Sequence, residues 1–339
     1  MSKTYKIGIA SLVHDHVWGE LRRWQETGRV ELVAGGDVNK RLRERLSNDF
    51  GVTRLYDSWQ AMLAAEEDLD IVQIAAENSA HADIVEVAVA KGCHIITEKP
   101  MAATLAQANR MLAACEQAGV QLMVNWPTAW MPAYQELERL ILGGAIGELR
   151  YFKYRSAHNG PREIGCDETF WSWLYDEEKN GGGAFMDYCC YGSAMMARFL
   201  GLPRKVIGMR AILAKDYPLP DDNAIISAWY DHAHCVAEAS WTQVTGYVTG
   251  NPYAYGSEGA ICLQGGKVHL MKPGKPVEVI EPRPLAAPLR SGPEYLLHCI
   301  ETGTPLEGIC SGKVSRDAQE ILEAGKRAAD TGVTQVLPL

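Results

Sequence analysis

Three side chains in this sequence have the chemistry to move a proton at a carbon–oxygen bond. Lys99 lies in "HIITEKP", at the carboxyl end of an apolar run that reads as a strand. Open α/β sheets bind their ligands at that end of their strands. A lysine there can lower the pKa of a neighbouring hydroxyl and stabilise an alkoxide. The same letters, Glu98-Lys99 before Pro100, also describe an ordinary surface ion pair ahead of a turn. Asp187 and Tyr191 follow a glycine run in "GGGAFMDYCCYG". A helix that begins near Ala184 puts both on one face, because i and i+4 are neighbours. A carboxylate and a phenol that converge on a pocket suit acid/base work on a carbinol. A glycine turn feeding a helix of core aromatics would leave the same trace.

A second set of residues concerns a nucleotide. "YKIGIA" reads as a buried strand and "VWGELRRWQE" as the helix after it. Between two such elements a dinucleotide-binding protein carries G-x-G-x-x-G, whose glycines let backbone amides approach the pyrophosphate. The aligned positions here hold Ser11, Val13 and His16. That exchange pushes phosphates outward or demands a wider loop. Ser11 offers a hydroxyl, His14 or His16 a ring donor, and Asp15 is expected to cap the helix. "VELVAGGD" ends in Asp37, a residue type that accepts hydrogen bonds from ribose hydroxyls and repels a 2′-phosphate. Lys40 and Arg41 pull the other way, and Asp37 also reads as a helix cap.

Other residues carry less. His14-Asp15-His16 on loop spacing alone makes a poor ligand set, so no metal is expected. His232 and His234 flank a hairpin turn and read as exposed. Trp171, Trp173 and Tyr175, just before the glycine run, have the faces that stack on sugar C–H bonds. His158 and Arg162 precede them as candidate donors to substrate hydroxyls.

The elements that must position these groups fall into two parts. Residues 1–125 alternate continuous apolar runs ("KIGIA", "DIVQIAA", "HIIT", "QLMVN") with helical patterns, as a doubly wound parallel sheet requires. Residues 126–339 open with a helix over "MPAYQELERLIL" and continue mostly as strands, several of them alternating as in an antiparallel sheet with one buried face. The fold class is therefore a Rossmann domain followed by an α+β domain on a large, mostly antiparallel open sheet. "KPGKPVEVIEPRPLAAPLRSGP" reads as a proline-rich surface connection, with two helices after it. The chain of 339 residues is 47% apolar, 22% charged and has net charge −9. That charge argues against nucleic acid or an anionic membrane as partner. No apolar run of spanning length occurs. Nine cysteines without a C-x-x-C, behind a start with no export signal, read as reduced thiols in a cytoplasm.

Nearly the whole chain resembles the Gfo/Idh/MocA oxidoreductase family. The block from "IAAENSAHADIVEVAVAKGCHIITEKP" to "QLMVN" carries Asn78, His81, Glu98, Lys99 and Pro100 at its signature positions. "LILGGAIGELRYFKY", "GGGAFMD" and "YGSEGAICL" resemble later blocks in the family's order. The resemblance implies NAD, with NADP possible, and a sugar, polyol or cyclic diol as substrate. It implies Lys99, Asp187 and Tyr191 as the catalytic set, with Lys99 lowering the pKa of the phenol or hydroxyl and Asp187 orienting the substrate. The implied cofactor wall is Ser11, Leu12, His14, His16 and Asp37, then Ala76, Asn78, His81, Glu98, Lys99 and Asn125. The implied substrate wall is Trp126, His158, Arg162, Trp171 and Asp187. A homodimer or homotetramer paired through the second sheet is implied as well. Many members have His where this chain has Tyr191; a branch resembling glucose–fructose oxidoreductase and dihydrodiol dehydrogenase has Tyr. A redox-neutral sugar-processing enzyme that retains NAD, and a non-catalytic NAD or sugar sensor, are the alternative functions.

Overall fold

The computed structural model describes residues 3–339. The first half alternates strand and helix: β1 Tyr5–Ala10, α1 Val17–Glu26, β2 Val30–Gly36, α2 Lys40–Phe50, β3 Arg54–Tyr56, α3 Trp59–Ala65, β4 Ile71–Ile74, α4 His81–Val89, β5 His94–Glu98, α5 Leu105–Ala118 and β6 Leu122–Asn125. All six strands are parallel, in the order β3-β2-β1-β4-β5-β6. The order reverses between β1 and β4, so a crevice opens at the carboxyl ends there. Local chemistry fixes the helix starts. Asn39 accepts from the amides of Arg41 and Leu42, Ser58 caps α3, and Thr104 with Gln107 makes a capping box on α5.

α1, like α4, has no side-chain cap among the described residues. The Asp15 expected to cap α1 accepts from the amide of Asp167 at 3.1 Å instead, tying the opening loop to the second half.

The second half comprises α6 Pro132–Leu142, β7 Leu149–Ala157, α7 Glu168–Leu174, α8 Glu177–Asn180, α9 Ala184–Leu200, β8 Lys205–Ala211, β9 Asn223–Trp229, β10 His234–Ser240, β11 Tyr253–Gly256, β12 Ala260–Gln264, β13 Lys267–Met271, β14 Glu278–Ile280, α10 Gly292–Thr302, α11 Gly312–Thr331 and β15 Gln335–Val336. Nine strands form one sheet, antiparallel except where β7 and β10 run parallel. The proline-rich connection is not all connection: it contributes β14 to the sheet edge. α9 and α11 cover the inner face. They come close because Gly208 of β8 lies against the backbone of Gly325 of α11, where a Cβ has no room. The chain end then returns to the first sheet, since the amide of Val124 donates to Cys310 O and Trp126 Nε1 to Ser315 Oγ at 3.1 Å.

The other face of the second sheet is left open. It bears Ile207, Met209, Trp229 and Tyr255, all exposed, and an aromatic strip in which Trp229 stacks on His234 at 4.3 Å and Tyr151 meets His234, Tyr253 and Tyr255. His234 is therefore half-buried rather than exposed, and its Nε2 pairs with Ser227 Oγ at 2.7 Å. His232 is exposed.

Candidate active site

Lys99 leaves the end of β5 and Asp187 leaves the first turn of α9, so each half of the chain brings one partner. Lys99 Nζ donates to Asp187 Oδ1 at 2.7 Å, with the two residues only 3% and 5% exposed. Burial works against the ammonium, but Asp187, followed by Tyr191, outweighs it and holds the Lys99 pKa well above its usual value. The lysine is therefore a permanent cation. Tyr191 stands one turn beyond Asp187, its ring 5.1 Å from Lys99 Nζ and edge-on to Trp126 at 5.7 Å. Burial raises the pKa of the phenol and Lys99 lowers it, with burial the larger. The expected net lowering by Lys99 is thus reversed by desolvation. The phenol is neutral at neutral pH, and no hydrogen bond among the described residues holds its proton.

The glycine run does not line this pocket. Gly181, Gly182 and Gly183 are buried. Gly181 has φ +90° and packs on the backbone of Ala103; Gly183 packs on the backbone of Asp221. Asp221, fully buried, accepts from the amides of Gly183 at 3.0 Å and Phe185 at 2.7 Å and so fixes the start of α9. Burial pushes its pKa up to about 6 against those amides and Arg210. Asn180 binds the same turn through Gly182 O and Gly183 O, and its Oδ1 accepts from Asn78 Nδ2 at 2.8 Å.

A cavity of about 410 Å³ opens at the ends of β1 and β2, between Asp37, Ser58 and Trp59 on one side and Trp173 and Lys179 on the other. Ser11 takes the left-handed conformation at φ +65°, the only described non-glycine residue to do so. It occupies the first glycine's conformation and turns its hydroxyl back onto Asp37 Oδ2 at 3.0 Å. Asp37 also accepts from the amides of Leu12 at 2.7 Å and Asn39 at 2.6 Å. A carboxylate has about four acceptor sites, and three of those on Asp37 are filled, so one stays open. The donor set, the cavity and a buried Asn78 Oδ1 without a partner fit an adenine dinucleotide.

A model described as "Oxidoreductase family, NAD-binding Rossmann fold" matches residues 14–126, and the "GFO/IDH/MocA C-terminal domain" matches residues 134–262. The chain belongs to the Gfo/Idh/MocA oxidoreductase family. Among curated Gfo/Idh/MocA relatives, D-apiose dehydrogenase of Paraburkholderia graminis is 42% identical over 38% of this chain and 34% of its own length. Trans-1,2-dihydrobenzene-1,2-diol dehydrogenase of Xenopus tropicalis is 26% identical over 48% of this chain and 46% of its own. The chain thus spans about half or less of these relatives' lengths. The fold of the aldose-aldose oxidoreductase from Caulobacter crescentus, crystallised with glycerol, superposes with a TM-score of 0.80 at 24% identity, covering 99% of this chain and 100% of that one.

Measured against the Gfo/Idh/MocA motifs, the expected residues divide by what they touch. Glu98 is fully buried; its Oε1 accepts from Asn125 Nδ2 at 3.2 Å and its Oε2 faces His16 Nδ1 at 3.0 Å. His14 is buried beneath Phe170, at 4.6 Å, and Trp173. His81 lies between Met101 O and Ala76 O at 3.0 and 3.1 Å, so it ties β4 to the loop after β5 and is 0% exposed. Leu12 and Ala76 are buried too. His158 packs edge-on against Tyr188, and Asp187 and Lys99 both act on its charge. Burial lowers its pKa. Gly160 N donates to its Nδ1 at 2.8 Å, so the neutral ring carries its proton on Nε2. Arg162 and Trp171 instead stack on each other at the exposed rim, with the guanidinium 5.1 Å from Tyr217. Asp221, Asn180 and Glu20 were not singled out from the sequence. "PDDNA" and "KNGGG" hold polar residues beside turns, a signal too common to separate from loops.

Proposed function

We propose that this protein is an NAD-dependent oxidoreductase that acts on a carbinol carbon of a sugar, polyol or cyclic diol. The observation that carries the reading is the buried Lys99–Asp187 pair with the unpartnered Tyr191 phenol beside it. Bound NAD would supply the hydride acceptor. The residues of the chain handle the proton and the charge. In oxidation Tyr191 acts as the phenolate and takes the hydroxyl proton to become the phenol; in reduction the neutral phenol is already in the donating form. Lys99 stabilises negative charge as it develops on the substrate oxygen, and Asp187 holds the ammonium in place. His158 presents Nε2–H to a neighbouring hydroxyl. Trp126, buried against Tyr191, excludes water from the reacting side.

NAD rather than NADP is supported by how the basic side chains near Asp37 are spent. Arg41 is bidentate to Asp167 at 2.8 and 2.6 Å, Arg43 pairs with Asp57 at 2.9 Å, and Lys40 leans toward Glu44 at 3.6 Å. The exposed apolar face of the second sheet supports a dimer or a dimer of dimers, because monomers seldom leave such a patch uncovered. Nine cysteines without a disulfide support a reducing cytoplasm. The relatives' names, an apiose dehydrogenase and a diol dehydrogenase, support the substrate class. A panel of aldoses, polyols and cyclic diols, each given NAD and NADP separately, tests the reading by absorbance of the reduced cofactor. No reduction of either cofactor by any member overturns it.

A further inference from the structure

The opening loop spends five of its amides inside the chain. Ser11 N donates to Gly36 O at 2.8 Å, Leu12 N to Asp37 Oδ2 at 2.7 Å and His14 N to Ala75 O at 3.0 Å. His16 N donates to His14 Nδ1 at 3.3 Å and Val17 N to His14 O at 3.0 Å. In a glycine-rich turn, groups of this kind are left to face a pyrophosphate. Here only the amides of Val13 and Asp15 are left without a partner among the described residues, so a side-chain donor would add to a reduced set.

His16 is built for that task. It stands at the start of α1, where the aligned third glycine would be, and its side chain is 36% exposed. Its Nδ1 is held at 3.0 Å by the fully buried Glu98, which Asn125 anchors from the other side. Glu20, also buried, adds a second carboxylate to the same region and has one oxygen, Oε2, without a partner. A carboxylate that holds one nitrogen fixes the ring and leaves Nε2 as the working atom. The charged groups around the ring are His14 and Asp15 in the loop, Glu20 of α1 with Arg23 on it, Glu98 of β5 with Lys99 after it, and Asp167 with Arg41 beyond.

We infer that His16, positioned by Glu98, supplies a side-chain pyrophosphate donor to this cleft from the third glycine's position. The inference rests on the reading of the cleft as a dinucleotide site. An imidazolium between Glu98 and a phosphate donates from Nδ1 to the carboxylate and from Nε2 to the phosphate oxygen. A charge-assisted hydrogen bond of this kind is stronger than a neutral one. Glycine at position 16, the residue the usual motif prefers, should therefore weaken binding here rather than restore it.

Calorimetric titration with NAD, ADP-ribose and adenosine, on the parent chain and on His16→Gly and His16→Ala, tests this. Both variants should bind NAD and ADP-ribose about 10–100-fold more weakly, while adenosine, which has no phosphate, binds as before. Glu98→Gln should weaken ADP-ribose in the parent but change nothing further in the His16→Gly background, a coupling that a merely structural Glu98 would not show. Unfolding midpoints confirm that each variant is folded, and His16 is open enough at the surface to be replaced. Unchanged or tighter ADP-ribose binding by His16→Gly overturns the inference. So does zinc retained stoichiometrically by the purified chain, which would give His14, His16 and Glu98, with ligand atoms within 4.8 Å of one another, to a metal. Failure of the parent chain to bind any of the three compounds would instead overturn the dinucleotide reading itself.

Discussion

Replacing Tyr191 by Phe separates chemistry from packing more cleanly than any other change in this chain. The ring is enclosed by Trp126 at 5.7 Å and by Tyr154 and Tyr188 at 6.1 Å, with Lys99 Nζ 5.1 Å from its centroid. Phe keeps all of these contacts. The oxygen it removes bonds nothing in the chain, so the fold should lose less than about 1 kcal/mol, the worth of one ordinary hydrogen bond. Tyr191→Ala would empty the same space and cost about 3–5 kcal/mol. If the phenol is the acid/base, turnover of the Phe variant falls about 10²–10⁴-fold, which is roughly 3–5.5 kcal/mol of barrier. The assay is steady-state kinetics on any accepted carbinol, with urea unfolding run beside it. The pH profile adds a second reading. The phenol's pKa lies above its ordinary 10.0, so oxidation by the parent chain should speed up with pH and reach no plateau below that value. The climb should vanish in the variant. Near-parental turnover by Tyr191→Phe would refute the reasoning and leave Lys99 and Asp187 without a proton carrier.

Asp187→Asn leaves a buried ammonium without its counter-charge and should destabilise the chain by about 3–5 kcal/mol; urea unfolding at pH 7 measures it, and a loss below 1 kcal/mol would mean that water reaches Lys99. Asp221 has a folded pKa of about 6 against an ordinary 3.8, so the folded state holds that proton more tightly than the unfolded one. Its contribution to stability is therefore full below about pH 4 and lost as pH rises to 6, by about 3 kcal/mol. The stability of Asp221→Asn should gain on the parent across that window, and parallel curves would contradict the burial argument. A charge on the exposed sheet face, as in Met209→Glu or Trp229→Glu, should convert the assembly to a species of 37.3 kDa in light scattering. A parent chain already of that mass would remove the interface.

The sequence by itself determined a good deal. Continuous apolar runs set β1, β2, β4, β5 and β6, because strands buried on both faces leave no polar alternation. The bounds of α1, and the start of α9 at Ala184, followed from periodicity and the glycine run before it. Lys99, Asp187 and Tyr191 were legible as residue types at telling positions. What they would do to each other was not legible, because the charge of one and the desolvation of another meet only across 88 positions of chain. The net rise in the phenol's pKa is a matter of depth, and depth is a tertiary quantity. The glycines at 181–183 read as a turn ahead of a helix, but that they let Asp221 and Ala103 approach the backbone rests on contacts with no local trace. Asp15 has the letters of a helix cap, but a stronger partner arrived from Asp167. β11 and the edge strand β15 are short, and pairing with β7 and β8, both distant in sequence, more than their own composition, makes them strands. The glycine-less loop shows the division most sharply. Its sequence announced that something had changed, but only the fold could show that Ser11 takes the left-handed conformation and that most of the loop's amides are spent inside the chain. Conformation and hydrogen-bond satisfaction depend on what surrounds a residue, and the surroundings are assembled by the whole chain.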